Sequence, residues 1–306
     1  MGERRWPVHP APMQGEALSS WLRRIASVYC WSVADLLRYD LGFPEAKPSG
    51  LDFRATDDLI EVIAVRSGMS FRTIKRTTFA GSLPFLSSRV FTDPSENDVE
   101  ICSVLFEPPN PAPGSYAKLR EWFQKESIST LIGCRYCLSD YQNGAKLLGW
   151  GLKVILSCPV HGVMLEPGRK KGDRIEWRKV SEEPAPKQVC RLDERSLEAV
   201  SEGRVQLPGG FVSAAEWFGI LQALFHELNA PVYSVKSGRF VWQLDLWETA
   251  GYLSPGPFET FKFDKTCALL IAIAIDQMET GLVKPTGKYG KFFVDEAVRK
   301  GAVSVR

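Results

Sequence analysis

Four residues stand at spacings that suit metal chemistry. Cys134-Arg135-Tyr136-Cys137 is a pair of thiols two residues apart, and after a gap of twenty residues Cys158-Pro159-Val160-His161 repeats the spacing with an imidazole in the last place. Each pair can grip one ion from a tight turn, and three sulfurs with one nitrogen complete a tetrahedral shell for zinc. A catalytic zinc usually leaves one position for water, whereas this set is full without one, so the pattern predicts a single structural Zn2+ and no metal-centred reaction. The alternative is four unrelated buried side chains, which a second matched pair ending in histidine argues against. The chain has seven cysteines, an odd number, and only three lie in this pattern, which favours reduced thiols over a disulfide framework. Cys30, Cys102, Cys190 and Cys267 have no partner at metal spacing and read as small buried residues. His9 and His226 receive no role.

A second set offers charge rather than ligation. Between Ile60 and Phe79, Ala64, Gly68 and Ile74 occupy the positions of a helix-turn-helix: a small residue where the helices approach, a glycine at the turn and a branched residue packing the second helix on the first. Ser70, Arg72, Lys75 and Arg76 then fall on the open face of the second helix, where a recognition helix meets phosphates, base edges or a partner protein. An ordinary helix hairpin with a solvated basic face would give the same pattern. Gly168-Arg169-Lys170-Lys171-Gly172-Asp173-Arg174 reads as a further basic loop just past the cysteine segment.

The elements that must position these groups follow from periodicity and breakers. Leu18, Trp21, Leu22, Ile25 and Ala26 form one helical stripe, with Arg23 and Arg24 off it. Ser32 caps a second helix, Val33 to Tyr39, that Gly42 ends. A third runs from Thr56-Asp57-Asp58 to Gly68, its acidic start suiting the positive helix terminus. A fourth begins at Ser70 and carries Phe71, Ile74 and Phe79. Phe106 to Gly114, with four prolines, reads as a linker, followed by a short helix over Ser115 to Lys125. Glu182 to Pro186 is a second breaker. Beyond it Ser213 to Leu228 and Phe258 to Thr280 read as long helices, with an untyped element over Phe240 to Tyr252. The sequence thus predicts a mainly α fold in three parts: a helix-turn-helix domain (1–114), a zinc-ribbon module (115–181) and a C-terminal helical domain (182–306).

Composition bounds the partners. With 306 residues, 44% of them hydrophobic, the chain can build more than one core. A net charge of only +2 means that any DNA contact comes from local patches. The opening segment has no uninterrupted apolar core of a secretory signal, and the longest strongly apolar run, Ala268 to Ile275, is far below the roughly 20 residues of a membrane helix, so a cytoplasmic protein is expected.

Trp6-Pro7-Val8-His9-Pro10 followed by Gly15-Glu16-Ala17-Leu18-Ser19-Ser20-Trp21-Leu22-Arg23-Arg24 resembles the start of TniQ-family proteins, which include the TnsD-like target selectors. The helix-turn-helix and the Cys-x2-Cys, Cys-x2-His set follow in that family's order, so the resemblance covers about the first 165 residues. It implies an accessory transposition protein that recognises a target, through DNA sequence or through the guide-RNA effector complex of a CRISPR-associated transposon, and recruits an AAA+ ATPase of the TnsC/TniB kind. Larger relatives carry a second zinc site; no further cysteine pair exists here, so one ion is expected. The resemblance leaves open whether the basic face meets DNA or protein, and whether the chain forms a homodimer.

The rival reading is a stand-alone DNA-binding regulator built from the same two modules. An enzyme is disfavoured, because no catalytic set is legible: there is no Walker loop, no paired-carboxylate motif and no Ser/Cys-His arrangement left once the zinc ligands are assigned.

Overall fold

A computed structural model describes residues 5–82, 130–139, 144–152, 154–171, 174–177, 184–229, 238–252 and 264–282. The expected linker and the helix over Ser115 to Lys125 lie outside these residues, as do the two expected domain boundaries. The described part is mainly helical with small antiparallel sheets.

Helix α1 (Leu18–Val28) buries the stripe read from its sequence, with Leu18, Trp21, Leu22 and Ile25 fully enclosed. Arg24, expected only to lie off that stripe, is buried too, for a reason given below. Ser32 caps α2 (Val33–Asp35) through a reciprocal capping box with Asp35. The chain then widens into a π-helical turn over Leu36–Leu41 that ends at left-handed Gly42. Pro48–Gly50 forms a 3-10 turn that leads into α3 (Leu51–Arg54), which periodicity did not disclose.

α4 (Asp57–Ser67) has the ends its sequence announces. The Thr56 hydroxyl accepts from the Leu59 amide, and Asp57 and Asp58 sit in the first turn. Gly68 closes the helix at φ +69°, where the Arg5 side chain also approaches closely, so a Cβ there meets both backbone strain and crowding.

The helix expected from Ser70 past Phe79 is instead two: α5 (Phe71–Lys75) and α6 (Phe79–Ser82). The Thr77 and Thr78 hydroxyls donate to the Ile74 and Lys75 carbonyls, each at 2.7 Å, and so compete for the helix's own acceptors. The corner is tight enough that a side chain at Gly81 would collide with the Lys75 carbonyl. Ile74 and Phe79 consequently serve different cores. Ile74 packs with Trp21, Leu37, Ile60 and Ile63, whereas Phe79 packs with Trp150 and the helices after it.

That second core joins the cysteine segment to the C-terminal helices. Cys134, Cys158, Leu148 and Trp150 share it with α7 (Lys187–Glu202), α8 (Ala214–Asn229), α9 (Gly238–Thr249) and α10 (Lys265–Glu279). The untyped segment over Phe240 to Tyr252 is thus mostly α9. Residues 258–263 of the expected last helix lie outside the described set, and Asp264 caps α10 by accepting from Cys267 N. Ala268 to Ile275 lies in α10 and is buried but for the partly buried Leu269. Among the described residues no helix is long and apolar enough to cross a membrane.

The strands surround the cysteines. β1 (Thr130–Gly133) pairs with β4 (Glu166–Lys171), which pairs with β5 (Arg174–Trp177), and β2 (Ser157–Cys158) forms a small hairpin with β3 (Val163–Met164). The expected basic loop is therefore largely strand, with residues 172 and 173 between β4 and β5 outside the described set. Between the two cysteine pairs, inside the expected zinc-ribbon module, the described chain makes a buried 3-10 turn, Leu148–Gly151. A last hairpin, β6 (Arg204–Leu207) and β7 (Gly210–Ser213), links α7 to α8.

Candidate metal centre and basic cleft

The residues that open the chain's motif are structural bolts. Glu16 is buried and accepts from the Arg24 guanidinium (2.6 and 2.9 Å), the Ser20 hydroxyl (2.9 Å) and the Met13 amide (2.9 Å). Arg24 can be buried only because this carboxylate and the Ala11 carbonyl satisfy it. The same strip binds the segment after Cys137. Lys146 N donates to Ser20 Oγ, Ala17 N to Lys146 O, Leu148 N to Gly15 O, and Arg23 to the Gly144 carbonyl. Asp52 accepts from Ser19 N and Oγ, and lies 3.8 Å from the buried Lys146 ammonium. The Trp21 indole donates to Pro10 O at 2.7 Å. Helix α1 is in this way fastened to the metal-bearing segment by polar groups to which the sequence alone assigns no role.

Cys134, Cys137, Cys158 and His161 converge: their ligand atoms all lie within 4.8 Å of one another. Zinc–sulfur bonds of about 2.3 Å and a zinc–nitrogen bond of about 2.0–2.1 Å imply tetrahedral edges of about 3.8 Å between sulfurs and about 3.6 Å between sulfur and nitrogen. Cys137 and Cys158 Sγ are 3.7 Å apart, and His161 Nδ1 lies 3.5, 3.3 and 3.6 Å from Cys134, Cys137 and Cys158. The donor set thus fits one tetrahedral ion.

The electrostatics point the same way. Cys134 is held down at about 5, chiefly by a hydrogen bond from Cys158, whose own thiol that bond pushes far up. Burial, then the neighbouring Cys134 charge, pushes Cys137 up to about 11. Three thiols packed this closely cannot all ionise without a cation among them, and a divalent ion removes that repulsion.

Two groups hold the turns in place. The Arg135 guanidinium forks onto Glu166 of β4 at 2.7 and 2.8 Å. From α7, the buried Asp193 accepts through Oδ2 from Ser157 N (2.6 Å), Ser157 Oγ (2.6 Å) and Leu156 N (3.1 Å), pinning β2 just before Cys158. Among the described residues its Oδ1 has no hydrogen-bond partner. Burial raises its carboxyl to about 7 despite those three bonds, each of which lowers it. His161 is exposed at the rim, with Tyr136 stacked on it at 5.4 Å. Of the other cysteines, Cys267 is buried, while Cys30 is exposed at a positive φ of 56°, contrary to the buried role expected for it. Cys190 is intermediate, and Cys102 lies outside the described residues.

On the basic face the four sequence-selected residues divide. Ser70 is the N-cap of α5 and accepts from the Thr73 amide. Lys75 pairs with Asp57 at the start of α4. Arg72 and Arg76 are exposed and have no carboxylate partner among the described residues. Ala64 and Ile74 are buried beneath them. The two arginines border a cleft of about 380 Å³ whose far wall is the end of α7 and the start of α8, including Ser201, Gly203, Ser213 and Ala214. Among the described residues no acidic one lines it.

A family model described as TniQ matches residues 7–165, a little over half of the chain. No curated protein and no solved structure matches.

Proposed function

The chain belongs to the TniQ family, and from that premise we propose that it is a target-selection adaptor of a transposon, linking a DNA target or guide-RNA effector complex to an AAA+ ATPase of the TnsC/TniB kind. The match over residues 7–165 carries the reading, because it spans the bolted α1 motif, the α4–α5 unit and all four candidate metal ligands. Family membership supports a role in transposition and target selection. We assign that role to α4, Gly68 and α5 as a helix-turn-helix whose Arg72 and Arg76 form the targeting or recruitment surface; their exposure, with no carboxylate partner among the described residues, supports the assignment. Lys75 and Ser70 support that surface from within it.

Zinc is the ion we assign to Cys134, Cys137, Cys158 and His161. Bound there, it supplies folding free energy on the order of 10 kcal/mol and no reaction, since the four ligands fill its shell. The adaptor works in the cytoplasm beside its DNA, and cutting and joining belong to its partners.

The test is targeted insertion in cells carrying the cognate transposase and ATPase, with and without this chain, alongside a pull-down of the ATPase. Site-directed insertion that requires the chain, together with ATPase capture, supports the adaptor. Insertion that is equally frequent and equally placed without it, with specific binding to a promoter instead, would make it a stand-alone regulator.

A further inference from the structure

The β6–β7 hairpin borders the same cleft as Arg72 and Arg76. Gly203 and Ser213, at its base, line that cleft's far wall. The hairpin is two-faced: Val205, Leu207 and Val212 are buried, while Arg204, Gln206, Phe211 and Ser213 are exposed. Arg204 pairs with Ser213 and Gln206 with Phe211 in the register, so all four share the outward face. Phe211 is 58% exposed, with the Arg204 guanidinium 4.6 Å from its ring centroid. An aromatic ring held in solvent beneath a cation contributes little to folding, and it leaves a flat apolar surface beside a positive charge.

Charge decides the occupant. Arg72 and Arg76 on one wall and Arg204 beside the other lack carboxylate partners among the described residues. Among the described residues the neighbouring acids pair with none of these arginines: Glu202 accepts from Gln14, Glu216 accepts from Ser213 at the cleft wall, and Asp57 holds Lys75. A short helix and a β-hairpin that flank one cationic cleft suit the sugar–phosphate backbone of duplex DNA, with guanidinium groups on phosphates and the ring against deoxyribose.

We propose that the β6–β7 hairpin is a wing for the α4–α5 unit, in which Arg204 and Phe211 clamp the backbone of DNA lying along Arg72 and Arg76. This rests on the reading of α5 as a targeting face and extends it to residues beyond the part of the chain that the family model covers.

Affinity of the full chain for a 30-base-pair duplex, measured at several salt concentrations, tests it on wild type, Arg204→Glu, Arg204→Lys, Phe211→Ala and the Arg72→Glu, Arg76→Glu pair. Arg204→Glu should weaken binding at least tenfold and reduce the slope of log affinity against log salt by about 0.9 for each phosphate it no longer neutralises, while Arg204→Lys keeps the slope. Phe211→Ala should weaken binding severalfold and leave the slope unchanged. Melting temperature and zinc content should match wild type throughout. If both Arg204→Glu and Phe211→Ala bind like wild type while the α5 pair fails, the wing is wrong and the α5 reading stands. If wild type binds no duplex, or the α5 pair binds normally, the wing falls together with a DNA role for α5; capture of a protein partner by wild type but not by the α5 pair would then mark that face as a protein dock.

Discussion

The metal centre and the α5 cleft use similar polar chemistry in opposite ways. At the cysteines and on the α1 strip fastened to that segment, charged groups are paired within the fold: Arg135 with Glu166, Asp193 with β2, Arg24 with Glu16. Around the cleft, Arg72, Arg76 and Arg204 have no carboxylate partner among the described residues. Groups satisfied within the fold are what a structural staple needs, whereas uncommitted cations on a rigid support are what a recognition surface needs. The contrast predicts that substitutions at the centre cost stability, and that those at the cleft cost binding alone.

The largest effect is expected at the ligands. Cys137→Ser should abolish stoichiometric zinc and lower the melting temperature by roughly ten degrees or more, consistent with losing a site that supplies on the order of 10 kcal/mol. Metal analysis of wild type should give about one zinc per chain, with three sulfurs and one nitrogen by X-ray absorption. Full zinc and unchanged melting in the variant would erase the contrast.

Next comes the bolt on α1. Glu16→Ala leaves Arg24 buried without its carboxylate and should cost about 3–5 kcal/mol in denaturant unfolding. Replacing both Glu16 and Arg24 by apolar residues of similar size should recover most of that loss.

A smaller effect is expected at Asp193. Asp193→Asn weakens three hydrogen bonds and should cost about 1–3 kcal/mol. Because burial raises its folded carboxyl from 3.8 to about 7, the native state holds a proton that the unfolded chain has released. The stability this contributes is fully present below about pH 4 and is lost as pH rises through about 7. Unfolding of wild type and Asp193→Asn at pH 6 and pH 8 should therefore show the difference between them changing with pH. A constant difference would mean that Asp193 is already ionised across this range.

The two regions also differ in how legible they are in the sequence. Ligand spacing is local and fixed by coordination geometry, so Cys134, Cys137, Cys158 and His161 can be read directly and do converge. The ends of α4 are equally plain, because Thr56, the paired aspartates and Gly68 act within one turn. What escapes depends on distant partners or on competing local bonds. Nothing near Arg24 announces burial, since its reason is Glu16, two turns back along the chain, and the packing around both. The break between α5 and α6 comes from threonine hydroxyls that hydrophobic periodicity ignores. Helix α7, which carries Asp193, is missed as well. The β6–β7 hairpin does leave a signal, Pro208-Gly209 between alternating Val205, Leu207 and Val212, which a search for turns would have found.

At the cleft, the smallest change in stability should accompany the largest change in function, and one experiment measures both. The Arg72→Glu, Arg76→Glu protein should unfold within about 0.5 kcal/mol of wild type and keep its zinc, as exposed substitutions away from caps and cores do, while targeted insertion falls by at least an order of magnitude. Wild-type insertion by that folded, zinc-loaded double variant would contradict the assignment and leave the α5 face as solvated surface.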